Sequence, residues 1–135
     1  GAYAEGLGEE LGFYEDPYQF LGRWEWDMVR SVRLSIDVGI HSLGWSKQQA
    51  LDYWHANVVN QDQIAEREVD RINRWPAQVM SYKLGQREIL ELKSFCRLHQ
   101  GSRFDVRKFH TKVLEKGSVP LPILRRTVRE FCALP

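Results

Sequence analysis

From Pro17 to Gly44 the chain repeats apolar side chains at one spacing. Phe20, Leu21, Trp24, Met28, Val32, Ile36 and Ile40 recur three or four residues apart, the period of an α-helix with one apolar face. A strand would need alternation at every second residue, which this stretch lacks. Its ends agree with a helix. Asp16 suits the N-cap and Pro17 the first helical position, while Gly44 suits the left-handed residue that follows a helix. The spacing predicts one long helix over 17–43.

The rest of the chain reads the same way. Residues 2–13 predict an amphipathic helix weakened by Gly6, Gly8 and Gly12. Ser46 with Gln49, and Asn60 with Gln63, have the capping-box spacing for helices over 47–57 and 61–74. Trp75–Pro76 forces a break, because a residue before proline avoids the α region. A second long helix is expected over 77–98, with Val79, Tyr82, Ile89, Leu92 and Cys96 as its stripe and Gly101 as its end. Asp105 caps a helix over 106–116, stopped by Gly117, and the last helix covers 122–132. No alternating strand pattern occurs. The expected fold is all-α, six or seven helices in an irregular bundle, forming a single domain over 1–135.

Composition excludes several function classes. At 135 residues, with 43% hydrophobic and 27% charged residues, the chain can bury a real core. A net charge of +1 lacks the basic excess of a nucleic-acid binder, and Arg125, Arg126 and Arg129 read as a solvated helix face. No apolar run reaches the roughly 20 residues of a membrane span. No charged and then apolar leader opens this sequence, so no signal peptide is visible in it. The two cysteines, Cys96 and Cys132, make neither a CxxC nor a disulfide scaffold. Cys96 reads as a small core residue, and the redox compartment stays open.

Two constellations could carry chemistry. In "RSVRLSIDVGIHSLGW", residues 30–45, Arg33, Asp37 and His41 stand four apart on one helix face. Asp37 could hold one imidazole nitrogen of His41 and leave the other for a substrate or proton. Arg30 and Arg33 could together clamp a carboxylate. The same spacing also fits ordinary ion pairs near a surface. Gly39 sits inside this helix, where it costs roughly 1 kcal/mol against Ala. In "RWPAQVMSYKLG", residues 74–85, Gln78 and Tyr82 share a face just after the break. Tyr82 could donate to a developing oxyanion and Gln78 could hold a peptide group, or the pair could be a core tyrosine with a polar neighbour. Lys83 is adjacent, about 100° round the helix.

Other chemistries lack their residues. There is no HExxH, and His55, His99 and His110 are scattered. Asp37 and His41 are too few for a closed zinc site, so no metal site is expected. No G-x-S-x-G, P-loop or dinucleotide fingerprint occurs in a fitting context.

"YAEGLGEELGFYEDPY", "VRLSIDVGIHSLGWSKQQALDYW", "RWPAQVMSYKLGQREILELK", "FDVRKFH" and "GSVPLPIL" occur in this order. Together they resemble the C-terminal part of a widespread bacterial family catalogued as a domain of unknown function. That family is similar to α-helical zinc metallopeptidases. The most specific matches are D-x-G-I-H-x-x-G-W and W-P-x-Q-x-x-S-Y-K-x-G. The resemblance implies a His-Glu…His zinc helix upstream and a later Glu-Gly-Trp-Ala-Leu-Tyr-Ala-Glu helix whose first Glu is the third ligand. Tyr3 and Glu5 match the end of that second motif, so the three ligands fall outside this sequence. Zinc is then expected only in a longer protein. This chain would form the opposite wall of the cleft: His41 and Tyr82 stabilising the transition state, Arg30, Arg33, Gln78 and Lys83 holding a peptide substrate, and Asp37 and Glu5 in orienting roles. It would be inactive alone. Its expected partner is the missing N-terminal half or a second copy, with no nucleic acid. The alternative is a non-enzymatic helical interaction module, a truncated gene product that dimerises through the exposed cleft face. Location stays open between the cytoplasm and the cell envelope.

Overall fold

The computed structural model describes residues 1–133. Among these there are seven α-helices and no strand, and the chain forms two compact units, Gly1–Leu84 and Gly85–Pro135.

The first unit holds α1 (Ala2–Glu10), α2 (Pro17–Leu43), α3 (Lys47–Asn57), α4 (Asp62–Arg74) and the start of α5 (Met80–Gln100). Local chemistry sets most boundaries. The Asp16 carboxylate accepts from Tyr18 N at 2.8 Å, and Gly44 closes α2 in the left-handed region at φ 69°. Ser46 and Gln49 form the expected capping box. Asn60 does not cap α4: it lies at φ 63° and its amide donates to Glu25 Oε1 at 3.2 Å. Gln61 takes the N-cap position without a side-chain bond.

The core joins Val29, Val32 and Ile36 of α2 to Ala50 and Trp54 of α3, to Ala65, Val69 and Ile72 of α4, and to Val58 and Val79. The apolar stripe expected along the whole of α2 therefore needs correction. Its C-terminal half is buried, but Leu21, Trp24 and Met28 are exposed. The reason is length. At 1.5 Å per residue, the 27 residues of α2 outrun the 11 of α3 and 13 of α4.

Gly39 has a direct explanation. A Cβ there would lie 2.2 Å from the Trp45 ring, and Trp45 N donates to Gly39 O at 2.8 Å. Trp45 also packs against Tyr53, with ring centroids 5.3 Å apart. Gly39→Ala should destabilise the protein. The overpacking cost of about 1–3 kcal/mol outweighs a helix gain of roughly 1 kcal/mol. Urea denaturation checks this, and an unchanged or higher midpoint would mean the ring gives way freely.

The second unit contains the rest of α5, a short 3-10 turn at Gly101–Arg103, α6 (Val106–Leu114) and α7 (Leu121–Ala133). Asp105 caps α6 by accepting from Arg107 N at 2.8 Å. Buried Glu88 receives Arg125 Nε at 2.8 Å. Cys96 is buried, as its place on the apolar stripe suggested, and it is also cross-linked, which the sequence did not suggest: Cys96 and Cys132 form a disulfide, with Cα atoms 5.1 Å apart. The two cysteines lie 36 residues apart, a pairing that only the packing of the helices brings about.

Candidate functional site

Arg33 and Asp37 of the α2 stripe are buried in the first unit while His41 is exposed near the helix end, and each of the three reaches a different partner. Arg33 Nη2 lies 2.8 Å from Glu68 Oε2 on α4, with both side chains nearly buried. Asp37 Oδ2 accepts from Ala77 N at 2.9 Å. His41 Nε2–H donates to the Ile72 carbonyl at 3.1 Å. Asp37 and His41 are thus held on separate backbone groups, so the orienting bond expected between them is replaced by two anchors. The reason is the Trp75–Pro76 break. It frees backbone groups at the end of α4 and in the turn beyond, and buried or half-buried backbone groups need partners.

The turn that Asp37 holds is unusual. Ala77 lies at φ 65°, a region non-glycine residues rarely adopt. It delays α5 to Met80, three residues beyond the expected start. The buried Asp37 carboxylate compensates by taking the Ala77 N–H. The next residue is Gln78, so the anchor also positions that amide.

Gln78 sits between two other side chains. Its Oε1 accepts from Arg71 Nη2 at 2.8 Å, and its Nε2 donates to the Tyr82 hydroxyl at 3.1 Å. Arg71 Nη2 also approaches that hydroxyl at 3.4 Å. Arg71 Nη1 is 3.5 Å from Glu68 Oε2, which links this group to Arg33. Arg33, Glu68, Arg71, Gln78 and Tyr82 therefore form one polar network with two cations and one carboxylate. The hydrogen bond from Gln78, then that from Arg71, holds the Tyr82 phenol below its ordinary value near 10. Burial of Arg33 lowers its own pKa, and Glu68 opposes that shift. Tyr82 is 39% exposed. A phenol so placed can donate a hydrogen bond to an anion that forms beside it.

The remaining expected residues are engaged elsewhere in this unit. Arg30 and Glu5 hold each other, through Nη1 to Oε2 at 2.8 Å and Nη2 to Oε1 at 2.6 Å. The shared clamp expected of Arg30 and Arg33 is therefore not formed, because each arginine has its own internal carboxylate. Lys83 Nζ donates to both carboxylate oxygens of Asp27, at 2.7 and 2.6 Å. Among the described residues no three His, Cys, Asp or Glu side chains come together as a metal site.

Glu68 and Arg71 were not singled out in the sequence. One signal was present: Glu68 lies between Ala65, Val69 and Ile72 on the buried face of α4. A carboxylate on an apolar stripe must find a cation.

None of the curated proteins matches this chain. It is similar to a crystal structure described as "the putative lipoprotein from Colwellia psychrerythraea", with a TM-score of 0.92 and 36% sequence identity. That similarity covers 97% of this chain but 23% of the other. The family described as bacterial protein of unknown function (DUF885) matches residues 1–128. The chain belongs to the DUF885 family.

Proposed function

We propose that this chain is the substrate-cleft half of a zinc-metallopeptidase-like protein that hydrolyses peptides, and that it is inactive alone. The observation that carries the reading is the Tyr82 hydroxyl, exposed, hydrogen-bonded by Gln78 and Arg71, and held below its ordinary pKa. Stronger acidity makes a phenol a better donor to a developing oxyanion. In this reading Tyr82 donates to the oxyanion. Gln78 and Arg71 tune it, and Arg33 supplies positive charge from behind. His41 and Asp37 act as positioning residues: Asp37 fixes the turn that carries Gln78, and His41 holds the last turn of α4 that leads into it. The zinc ligands come from the larger part of the protein, in keeping with a chain that spans 23% of its structural relative. Arg30, Lys83 and Glu5 enter only as far as a substrate displaces their internal partners.

Two measurements test this. In the isolated chain, the Tyr82 phenolate absorbance should appear below pH 10, and Arg71→Ala should move its titration upward. Equal titrations would remove the tuning by Arg71. In the full-length protein, Tyr82→Phe should lower kcat for peptide hydrolysis by about 10²-fold, the scale of a lost oxyanion donor. A wild-type rate would reject the role.

A second reading is a helical interaction module that pairs with a second copy. It is favoured by the exposed side chains of Leu21, Trp24 and Met28 on one stretch of α2, since clustered apolar surface marks association sites. A concentration-dependent dimer in sedimentation, abolished by Trp24→Glu, supports this reading. A monomer at all concentrations rejects it.

A further inference from the structure

The disulfide between Cys96 on α5 and Cys132 on α7 has no part in the reading above. Both residues are buried, at 0% and 1% exposure, and that burial is informative. Disulfides form and break by attack of a thiolate on a reachable sulfur. In the folded second unit neither sulfur is reachable from solvent. The bond must therefore close while this unit is still folding, and the oxidant must be present where folding takes place. In the cytoplasm, glutathione and thioredoxin systems keep thiols reduced, whereas the bacterial periplasm and cell surface are oxidising.

We infer that the protein folds and works outside the cytoplasm, in an oxidising compartment, and that its substrates are peptides of that compartment. The second clause rests on the peptidase reading, and the first does not. The oxidant is a protein carrying an exchangeable disulfide. A thiolate of the incoming chain attacks that disulfide, and the oxidant's other sulfur leaves as a thiolate. The second cysteine, as its thiolate, then displaces the oxidant from the mixed disulfide. The chain gives up two protons and two electrons, and the oxidant departs as a dithiol.

The test uses cells that produce the full-length protein. They are quenched in acid, free thiols are capped with N-ethylmaleimide, and the peptides carrying Cys96 and Cys132 are weighed. The expected result is one linked pair without adduct, in protein that fractionates with the envelope or periplasm. Maleimide on both cysteines overturns the inference, and so does protein that fractionates with cytoplasmic markers. Neither readout involves peptide hydrolysis. An oxidised, exported protein that cleaves no peptide removes the peptidase reading and leaves the compartment standing.

Discussion

Glu68→Ala should destabilise the protein by about 3–5 kcal/mol, the scale for removing one partner of a buried ion pair. Glu68 and Arg33 face each other at 2.8 Å with side chains 7% and 9% exposed. Arg33 remains charged at any ordinary pH, so truncating Glu68 leaves a cation in a site that already disfavours it. Neither the Arg33 Nε nor the Glu68 Oε2 has a hydrogen-bond partner of good geometry among the described residues, so the compensation is the ion pair itself. Arg71 lies 3.5 Å from the same oxygen and loses its carboxylate too. The double variant Arg33→Met/Glu68→Leu should recover most of the loss, because apolar residues of similar volume often replace a buried pair at little cost. Urea denaturation of the wild type, the single variant and the double variant checks both statements. A single variant within 1 kcal/mol of wild type would mean that water solvates Arg33 once Glu68 is gone.

The same pair explains which features were legible in the sequence. Several helix ends were, because their signals are local: Asp16 with Pro17, Gly44, the Ser46–Gln49 box and Asp105 all act within one turn, whereas the expected Asn60 cap and the start of α5 at 77 were not met. The Gln78–Tyr82 contact was legible as neighbours four apart, although Gln78 lies in the turn before α5 rather than on the helix. The partners of Arg33, Asp37 and His41 were not. Spacing along α2 suggests that these three serve each other, yet their partners Glu68, Ile72 and Ala77 lie 31 to 40 residues away in the chain. Such pairings depend on how α4 and the turn after it pack on α2. The exposed half of the α2 stripe is the reverse case. Periodicity shows which face is apolar, while the lengths of neighbouring helices decide how much of it is covered. The functional reading inherits this pattern: Tyr82 and Gln78 came from local spacing, and the cation that tunes them, Arg71, came from the fold.

Reduction of Cys96–Cys132 should weaken the second unit by about 4 kcal/mol, the chain-entropy value for a cross-link of this span. The cysteines are 36 residues apart, so the bond ties α7 to α5 across α6 and both connecting turns. Without it the unfolded segment gains the freedom of a loop this long, while the folded packing around Leu92, Phe109, Leu124 and Val128 changes little. Amide hydrogen exchange can read the effect where it acts. Buried amides of α7, such as that of Val128, should exchange roughly a thousandfold faster in reduced protein, since each 1.4 kcal/mol is tenfold. The reduced wild type is the better comparison than a double alanine variant, because it keeps the side-chain volume at both positions and avoids a cavity cost. If oxidised and reduced protein exchange alike at α7, helix packing alone holds this unit together. The cross-link would then be dispensable to its stability, even if it records where the chain folded.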